Sequence, residues 1–286
     1  MQRVLITAGA TGIGYALAEH FSDAGYQIWI IDISKEALKK CPKDWERSNL
    51  DVCDENAMSS LFKKINDKWA GLDVLCANAG TAGSTALIED QDAEAFRKCL
   101  DVNLTGAFLS VKGSLPIMKK QKKGTIIFTS STAGLNGFPY RSPYSASKWG
   151  IHGFMKTLAM EAGPFGIRAN AIAPGCVEGA RIDGVIEREA AKKKTTSDII
   201  REAYKSGTSL KTFVNAEDIA AMALFLASCL AKSLATLLAC AILVLPSSIS
   251  AISSSKLNGL LRWSTKSTNP TDCVAIPIED VLNELS

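Results

Sequence analysis

The chain has very little histidine, and its cysteines lack the spacing of metal sites. Only two histidines, His20 and His152, occur among the 286 residues. The eight cysteines include no CxxC pair, and none lies near a histidine at ligand spacing. These absences argue against a zinc site and against a disulfide framework. We therefore expect no bound metal, reduced and mostly buried thiols, and histidines that serve in packing or at the surface.

Strong charge of one sign is also missing. The net charge is only +3 and the basic residues are scattered, which argues against nucleic-acid binding. The N-terminus has no apolar secretory segment, so the expected location is the cytoplasm. The uncharged stretch 233–252 is long enough to cross a bilayer, but it contains Pro246 and several serines. A buried segment is the favoured interpretation, and membrane association is not expected.

Two common catalytic motifs are absent as well. The chain has no GxSxG sequence, which argues against a serine hydrolase. Its glycine-rich turn at 7–14 lacks the Gly-Lys-Ser/Thr sequence of a triphosphate-binding loop, which argues against a kinase or NTPase.

What the chain does have is a regular alternation of apolar runs with segments of helical period. This alternation predicts an α/β fold with a doubly wound parallel sheet covered by helices on both faces. The predicted strands are 4–7, 27–31, 49–52, 73–77, 125–129 and 168–173. The longer predicted helices are 92–120, 142–162 and 215–228, with a polar stretch between 175 and 213.

The composition changes after residue 228. Residues 1–228 are predicted to form one domain, whereas 229–286 form an atypical tail that begins rich in Leu, Ala and Ser. Within the tail, 239–245 could supply one replacement strand. A shift of reading frame would also explain so abrupt a change, and a native or membrane-associated tail are the other interpretations.

A glycine-rich turn follows the first predicted strand and opens a helix. Gly9, Gly12 and Gly14 let the backbone approach a pyrophosphate, and the helix N-terminus offers N–H groups to it. Asp32, at the end of the second strand, can accept hydrogen bonds from the adenosine ribose hydroxyls and would repel a 2′-phosphate. We therefore expect NAD as the cofactor, with NADP possible because Lys35 is close by.

Tyr144 and Lys148 are the candidate chemical groups. Their i, i+4 spacing places the phenol and the ammonium on one side of a helix, where the cation favours the ionised phenol. Ser131 precedes Tyr144 in the order Ser-x12-Tyr-x3-Lys. Ser130 is an alternative, but its spacing from Tyr144 is one residue too long. The Tyr144/Lys148 pair alone is weak evidence for a catalytic site, because this spacing is common on solvated helices.

Together these motifs make the sequence resemble the classical short-chain dehydrogenase/reductase family over residues 1 to about 228. The resemblance implies a single-domain Rossmann fold. It rests on the turn TAGATGIG (7–14), Asp32, Asp51-Val52, Asn78-Ala79-Gly80, Asn103 in DVNLTG, Ser131 in SSTAG, YSASK (144–148) and Pro174-Gly175.

The resemblance implies a role for each catalytic residue. Tyr144 would be the general acid/base, and Lys148 would assist it and hydrogen-bond the nicotinamide ribose. Ser131 would orient the substrate oxygen and stabilise its developing charge. Asn103 would help to hold a water that links Lys148 to solvent. The implied cofactor contacts are Gly9, Thr11, Gly12, Ile13, Gly14, Asp32, Ile33, Asp51, Val52, Asn78, Ala79, Gly80, Tyr144, Lys148, Pro174, Gly175 and Val177.

The implied function is NAD(P)-dependent interconversion of a secondary alcohol and a ketone by a homotetramer or homodimer. The alternative is a dinucleotide-binding protein without turnover, inactivated or destabilised by its altered tail. The segment 179–213 lies where the family builds a substrate lid, and its many Arg and Lys residues favour an anionic small-molecule substrate. The chain departs from the family pattern at Ala8, where a glycine is usual, and at Gly179, where many members have Thr.

Overall fold

The structure, a computed structural model, describes residues 1–228, and residues 1–227 form one compact unit. Its centre is a six-stranded, all-parallel sheet in the order β3-β2-β1-β4-β5-β6. The strands are β1 (Arg3–Thr7), β2 (Gln27–Asp32), β3 (Glu46–Asn49), β4 (Val74–Ala77), β5 (Gly124–Thr129) and β6 (Ile167–Ile172).

Helices cover both faces of the sheet. They are α1 (Gly12–Asp23), α2 (Lys35–Lys40), α3 (Glu55–Trp69), α4 (Ala93–Leu100), α5 (Gly106–Gln121), α6 (Ser142–Ala162), α7 (Ala180–Lys193), α8 (Ser197–Ser206) and α9 (Ala216–Ala227). One core cluster joins the sheet to α3, α5 and α6, and a second joins it to α1, α2 and α9. The predicted doubly wound, Rossmann-type α/β fold is therefore confirmed.

Strand β1 shows why its sequence is almost wholly apolar. Successive side chains of a strand point to opposite faces. Leu5 belongs to the cluster on one face, while Val4 and Ile6 belong to the cluster on the other. Because both faces are covered, the strand needs an apolar run rather than an alternating pattern.

The third strand lies earlier than the sequence predicts. It spans Glu46–Asn49 rather than 49–52, and it pairs with β2 from Trp29↔Glu46 to Asp32↔Asn49. This edge strand is polar, so it lacks the apolar run that signals a buried strand. After it, the Asp51 carboxylate accepts a hydrogen bond from the Cys53 N–H, which turns the chain towards α3.

The long helix predicted at 92–120 is interrupted. Helix α4 ends at Leu100, a π-helical turn covers Asp101–Thr105, and α5 follows. Asp92 caps α4 by accepting a hydrogen bond from the Ala95 N–H. The turn contains Asn103, one of the predicted site residues.

The polar stretch before 213 is not a loop. It contains α7 and α8, which pack around a small apolar cluster of Ile186, Ala190, Ile200 and Phe213. The sequence pattern missed these helices because their buried faces are narrow and their outer faces carry most of the segment's charges.

The predicted tail of residues 229–286, including the strand at 239–245, lies outside the described residues. Within residues 1–228, no helix is long and apolar enough to cross a membrane. The five cysteines in this part of the chain are free thiols, and Cys41, Cys76 and Cys99 are buried.

Candidate active site

Most of the predicted site residues lie at or just after the carboxyl ends of strands, and the others lie on helical segments. In a parallel sheet those ends lie at one edge, and the strand order reverses between β1 and β4, where a crevice forms. The glycine turn follows β1, Asp32 ends β2, and Asn78 follows β4. Ser131 follows β5, and Pro174 follows β6. The topology thus brings together residues that are far apart in the sequence.

The glycine turn lets the backbone at Ala8 lie very close to the start of helix α1. A Cβ on Gly14 would lie 1.9 Å from the Ala8 carbonyl oxygen, and Gly12 has a left-handed backbone (φ +52°). Thr11 at the helix N-cap makes no side-chain capping hydrogen bond. The first N–H groups of a helix have no partner within it. This end of α1 therefore offers donors and a favourable dipole to a pyrophosphate.

The Asp32 carboxylate lies beside the same turn. It accepts hydrogen bonds from the N–H groups of Ala10 (3.2 Å) and Ser34 (2.9 Å), and the residue is 9% exposed. Asn49 fixes the backbone here through hydrogen bonds to the carbonyl groups of Asp32 and Ile33, each 2.9 Å. An oriented carboxylate next to a glycine-rich turn at a helix N-terminus fits the ribose of a dinucleotide.

The predicted site residues after β2 and β3 are divided between surface and core. Ile33 is 73% exposed and Asp51 is exposed, so both side chains are accessible to a ligand. The Val52 side chain is buried in the core cluster beneath α5.

Asn78 ties strand β4 to the glycine turn. Its Nδ2 donates to the carbonyl groups of Thr7 (3.1 Å) and Ala8 (3.3 Å), and its Oδ1 accepts from Thr129 Oγ1 (3.0 Å). The Thr7 hydroxyl in turn accepts from the N–H groups of Asn78 and Ala79. Thr7 is a positioning residue that the sequence did not reveal, because it reads as an ordinary strand residue.

Tyr144 and Lys148 share one side of α6. Lys148 Nζ lies 5.7 Å from the centre of the Tyr144 ring and donates a 2.7 Å hydrogen bond to the Thr129 carbonyl oxygen. The pKa of Lys148 is lowered to about 7, chiefly because burial penalises the ammonium and also because Arg181 is close, while Cys99 opposes the shift. An oriented amine beside a partly exposed phenol can support proton exchange with a bound hydroxyl or carbonyl.

The loop that carries Ser131 packs directly against α6. Ser131 Oγ accepts a hydrogen bond from the Ala133 N–H (3.2 Å), and the Ala133 carbonyl accepts one from Ser145, next to Tyr144 (2.7 Å). Ser130 has other partners, since its Oγ lies 2.9 Å from His152 Nε2 and 3.4 Å from the Lys148 carbonyl. His152 is thus engaged with the neighbour of Ser131.

Asn103 joins three segments of the site. Its Oδ1 accepts from the Thr81 N–H (2.7 Å), and its Nδ2 donates to the Thr81 carbonyl (3.1 Å) and to Ser147 Oγ (2.9 Å). A Cβ on Gly80 would lie 3.2 Å from Asn103 Oδ1 and 3.6 Å from Lys148 Nζ. Asn103 therefore holds the segment after β4 close to Lys148.

The segment after β6 closes the site from the other side. The Pro174 carbonyl accepts a 2.9 Å hydrogen bond from the Thr132 N–H, which ties it to the Ser131 loop. Val177 pairs with Val214 in an isolated parallel bridge. Just beyond, Arg181 Nη2 donates a 2.6 Å hydrogen bond to the Gly80 carbonyl, so the start of α7 reaches across the crevice.

Arg141 is a further residue of the site that the sequence analysis missed. It is 5% exposed, and its Cζ lies 4.9 Å from the centre of the Tyr144 ring. Its spacing of three residues from Tyr144 is the one sequence signal that could have drawn attention to it. Among residues 1–228, no group of three or more His, Cys, Asp or Glu side chains is placed to hold a metal ion.

Comparisons with known proteins agree with this geometry. A family model described as short chain dehydrogenase matches residues 2–190. The chain is 36% identical over 234 residues to (+)-borneol dehydrogenase 1 of Salvia officinalis, and the match covers 78% of this chain and 85% of that protein. It is 30% identical over 233 residues to D-beta-hydroxybutyrate dehydrogenase of Rhizobium meliloti (strain 1021), covering 78% and 90%.

Solved structures give the same result. The NAD+-bound xylitol dehydrogenase matches with a TM-score of 0.77 at 26% identity, covering 79% of this chain and 92% of that one. ElxO with NADP bound matches with a TM-score of 0.70 at 29% identity, covering 79% and 91%. The chain therefore belongs to the short-chain dehydrogenase/reductase family, whose members use NAD or NADP.

Proposed function

We propose that this protein is a NAD-dependent oxidoreductase that interconverts a secondary alcohol and a ketone, with Tyr144 as the general acid/base. The observation that carries the proposal is the position of Lys148. This amine is buried, anchored to the Thr129 carbonyl and adjacent to the Tyr144 ring. Bound NAD would supply the hydride acceptor in alcohol oxidation, and its reduced form the hydride donor in ketone reduction.

Each residue around Tyr144 has a distinct task in this proposal. Tyr144 exchanges a proton with the substrate oxygen, and Lys148 assists it and binds the nicotinamide ribose. Ser131 donates a hydrogen bond to the substrate oxygen, where negative charge develops during oxidation or reduction. Asn103 holds the segment after β4 in place, and its link through water to Lys148 rests on the family resemblance.

The proposed cofactor contacts begin at the glycine turn and end after β6. The turn and the N-terminus of α1 bind the pyrophosphate, and Asp32 binds the adenosine ribose. The adenine lies near Ile33, Asp51 and Val52, with the exposed Ile33 and Asp51 best placed to touch it. The remaining contacts are Asn78, Ala79 and Gly80 on one side and Pro174, Gly175 and Val177 on the nicotinamide side.

We propose NAD rather than NADP because of the carboxylate of Asp32. The 2′-phosphate of NADP would lie close to this carboxylate in a partly buried place, and the repulsion between the two negative charges would weaken the binding of NADP. The chemistry of the two relatives named above supports a secondary alcohol as substrate, since borneol and β-hydroxybutyrate both carry one.

A homo-oligomer and a cytoplasmic location complete the proposal. Helices α5 and α6 expose large apolar side chains, with Phe108 45%, Trp149 53% and Met160 81% exposed. These side chains are candidates for a contact with a second subunit, and the oligomer itself is implied by the family resemblance. Sedimentation of the purified chain as a dimer or tetramer is expected, and a monomer would contradict this part.

The test of the activity compares wild type with Tyr144→Phe. Secondary alcohols are screened with NAD and NADP in parallel, and reduction of the cofactor is followed by absorbance. Loss of the phenol should lower kcat by about 10²- to 10⁴-fold, while NADH affinity, measured by fluorescence, stays within about 3-fold. Tyr26→Phe, at the opposite edge of the sheet, is the matched control and should retain full turnover.

The alternative function has a clear signature in the same experiment. A protein that binds NADH but turns over no alcohol or ketone in the panel would be a binding protein without catalysis. Undiminished turnover by Tyr144→Phe would instead contradict the assignment of the general acid/base.

A further inference from the structure

A buried arginine next to Tyr144 lacks an acidic partner. Arg141 precedes α6 and is 5% exposed. One guanidinium nitrogen, Nη2, donates a 2.7 Å hydrogen bond to the Ala82 carbonyl. Its Nε is buried and has no hydrogen-bond partner. A buried hydrogen-bond donor without an acceptor costs free energy. The unpaired Nε–H therefore indicates an acceptor that belongs to a ligand and reaches the site only when that ligand binds.

The charge of Arg141 is equally uncompensated. Within the part of the chain that the structure describes, no Asp or Glu forms an ion pair with it. Burial lowers the pKa of the guanidinium, the phenols of Tyr144 and Tyr204 oppose this, and the positive Arg188 adds to it. A buried charge is ordinarily paired, because desolvation costs several kcal/mol per ion.

The acidic groups nearby are already in use. Glu189, the buried acid of the lid helix α7, accepts a hydrogen bond from Tyr204 and pairs with Lys193, each at 2.6 Å. Arg201 is likewise neutralised by Glu178 and Asp183. Two of the lid's basic residues, Lys193 and Arg201, are therefore already neutralised by acids, whereas Arg141 is a buried cation without one.

Arg141 lies on the side of Tyr144 that faces the lid. Its Cζ is 4.9 Å from the Tyr144 ring centre and 5.9 Å from that of Phe138. Phe138 stacks on Tyr204 of α8, with ring centres 6.1 Å apart. The unpaired guanidinium is thus enclosed between the candidate general acid/base and the lid.

We propose that Arg141 binds a carboxylate of the substrate, so that the enzyme acts on hydroxy and oxo acids rather than on neutral alcohols. The inference rests on the proposed function, because it names the substrate class of the same site. A guanidinium presents N–H groups in a planar fork that matches a carboxylate, and such charge-assisted hydrogen bonds are the strong ones. The free Nε–H supplies one of them.

The test uses pairs of substrates that differ only in charge. The full chain is assayed with 3-hydroxybutyrate and its methyl ester, and with 4-hydroxycyclohexanecarboxylate and its methyl ester. Wild type should have a kcat/KM at least about 10-fold higher for one of the acids than for its ester. Arg141→Met should lower kcat/KM for that acid by about 10- to 100-fold, mainly through KM, and leave the ester within about 3-fold.

Two controls separate recognition from structure. Lys63→Met removes one positive charge from the exposed face of α3 and should leave the preference for the acid unchanged. Arg141→Lys keeps the charge but loses the planar fork, and it should recover part of the activity on the acid. An equal loss on acid and ester in Arg141→Met would assign Arg141 to anchoring Ala82 and overturn the proposal, as would a wild-type preference for both esters.

A binding measurement keeps this proposal separable from the catalytic one. Butyrate and butyramide are titrated into the NADH complexes of wild type and Arg141→Met, with NADH fluorescence as the readout. Binding of butyrate that is lost in Arg141→Met supports the carboxylate site even if no substrate is turned over, in which case only the catalytic assignment fails. Equal binding of butyrate and butyramide, or binding that survives the substitution, overturns the carboxylate site.

Discussion

Lys148 Nζ donates a 2.7 Å hydrogen bond to the carbonyl oxygen of Thr129, which joins helix α6 to the end of strand β5. Since Thr129 also donates to Asn78, one chain of hydrogen bonds runs from the amine to the glycine turn. The position of the helix that carries Tyr144 and the shape of the glycine turn are therefore coupled through the sheet edge.

The first prediction concerns the pH dependence of stability. The pKa of Lys148 falls from 10.5 to about 7 on folding, so the unfolded chain binds more protons between these values and folding stability rises with pH across this window. The cost of burying the ammonium is fully present below pH 7 and is relieved as the pH rises. In Lys148→Met that cost is absent.

The measurement is urea unfolding of the full chain without cofactor at pH 6 and pH 9. The free energy of unfolding of Lys148→Met minus that of wild type should be lower at pH 9 than at pH 6 by roughly 2 to 3 kcal/mol. A constant offset from the lost Thr129 hydrogen bond does not affect this difference. Lys156→Met, at an exposed position on α6, should show no such change, and a flat difference for Lys148→Met would contradict the buried cation.

The second prediction concerns the choice between NAD and NADP. Asp32→Asn removes the charge and keeps one of the two side-chain oxygens, of which Oδ2 accepts from Ala10 and Oδ1 from Ser34. Because the repulsion of a 2′-phosphate is relieved, the ratio of kcat/KM for NADP to that for NAD should rise by about 10-fold or more. Glu36→Gln, on the exposed surface of α2, removes an equal charge and should leave the ratio unchanged. An unchanged ratio in Asp32→Asn would mean that another group selects the cofactor.

The third prediction concerns Ala8, where the family pattern has glycine. Ala8 has a left-handed backbone with φ +51°, which costs a residue with a Cβ about 1 to 2 kcal/mol. Glycine adopts this conformation freely but loses more entropy on folding. Ala8→Gly should therefore raise the free energy of unfolding by up to about 1 kcal/mol.

Thermal unfolding of the full chain checks this prediction. Ala10→Gly is the matched control, because Ala10 is buried in the same turn and is not among the positive-φ residues of the described chain. It should lower the melting temperature, whereas Ala8→Gly should raise it. A lower melting temperature for both variants would show that the Ala8 conformation carries no strain.

The amino-acid sequence by itself determined the local features of this protein. The glycine turn, the apolar strands and the spacing of Tyr144 and Lys148 depend on near neighbours along the chain, so their patterns could be recognised without a structure. The alternation of strands and helices also predicted the doubly wound sheet, which the structure confirms. The polar edge strand β3 was predicted three residues too late, and helices α7 and α8 were missed, because neither region carries an apolar pattern strong enough to signal its type.

Only the tertiary structure decided what is buried and what it touches. The sequence patterns did not single out Arg141, yet its side chain is enclosed beside Tyr144 with an unpaired Nε. Lys148 and Thr129 meet only because α6 packs over β6, which lies next to β5. Burial and hydrogen-bond partners of this kind join residues distant in the chain. They follow from strand order and helix packing, which no local spacing encodes.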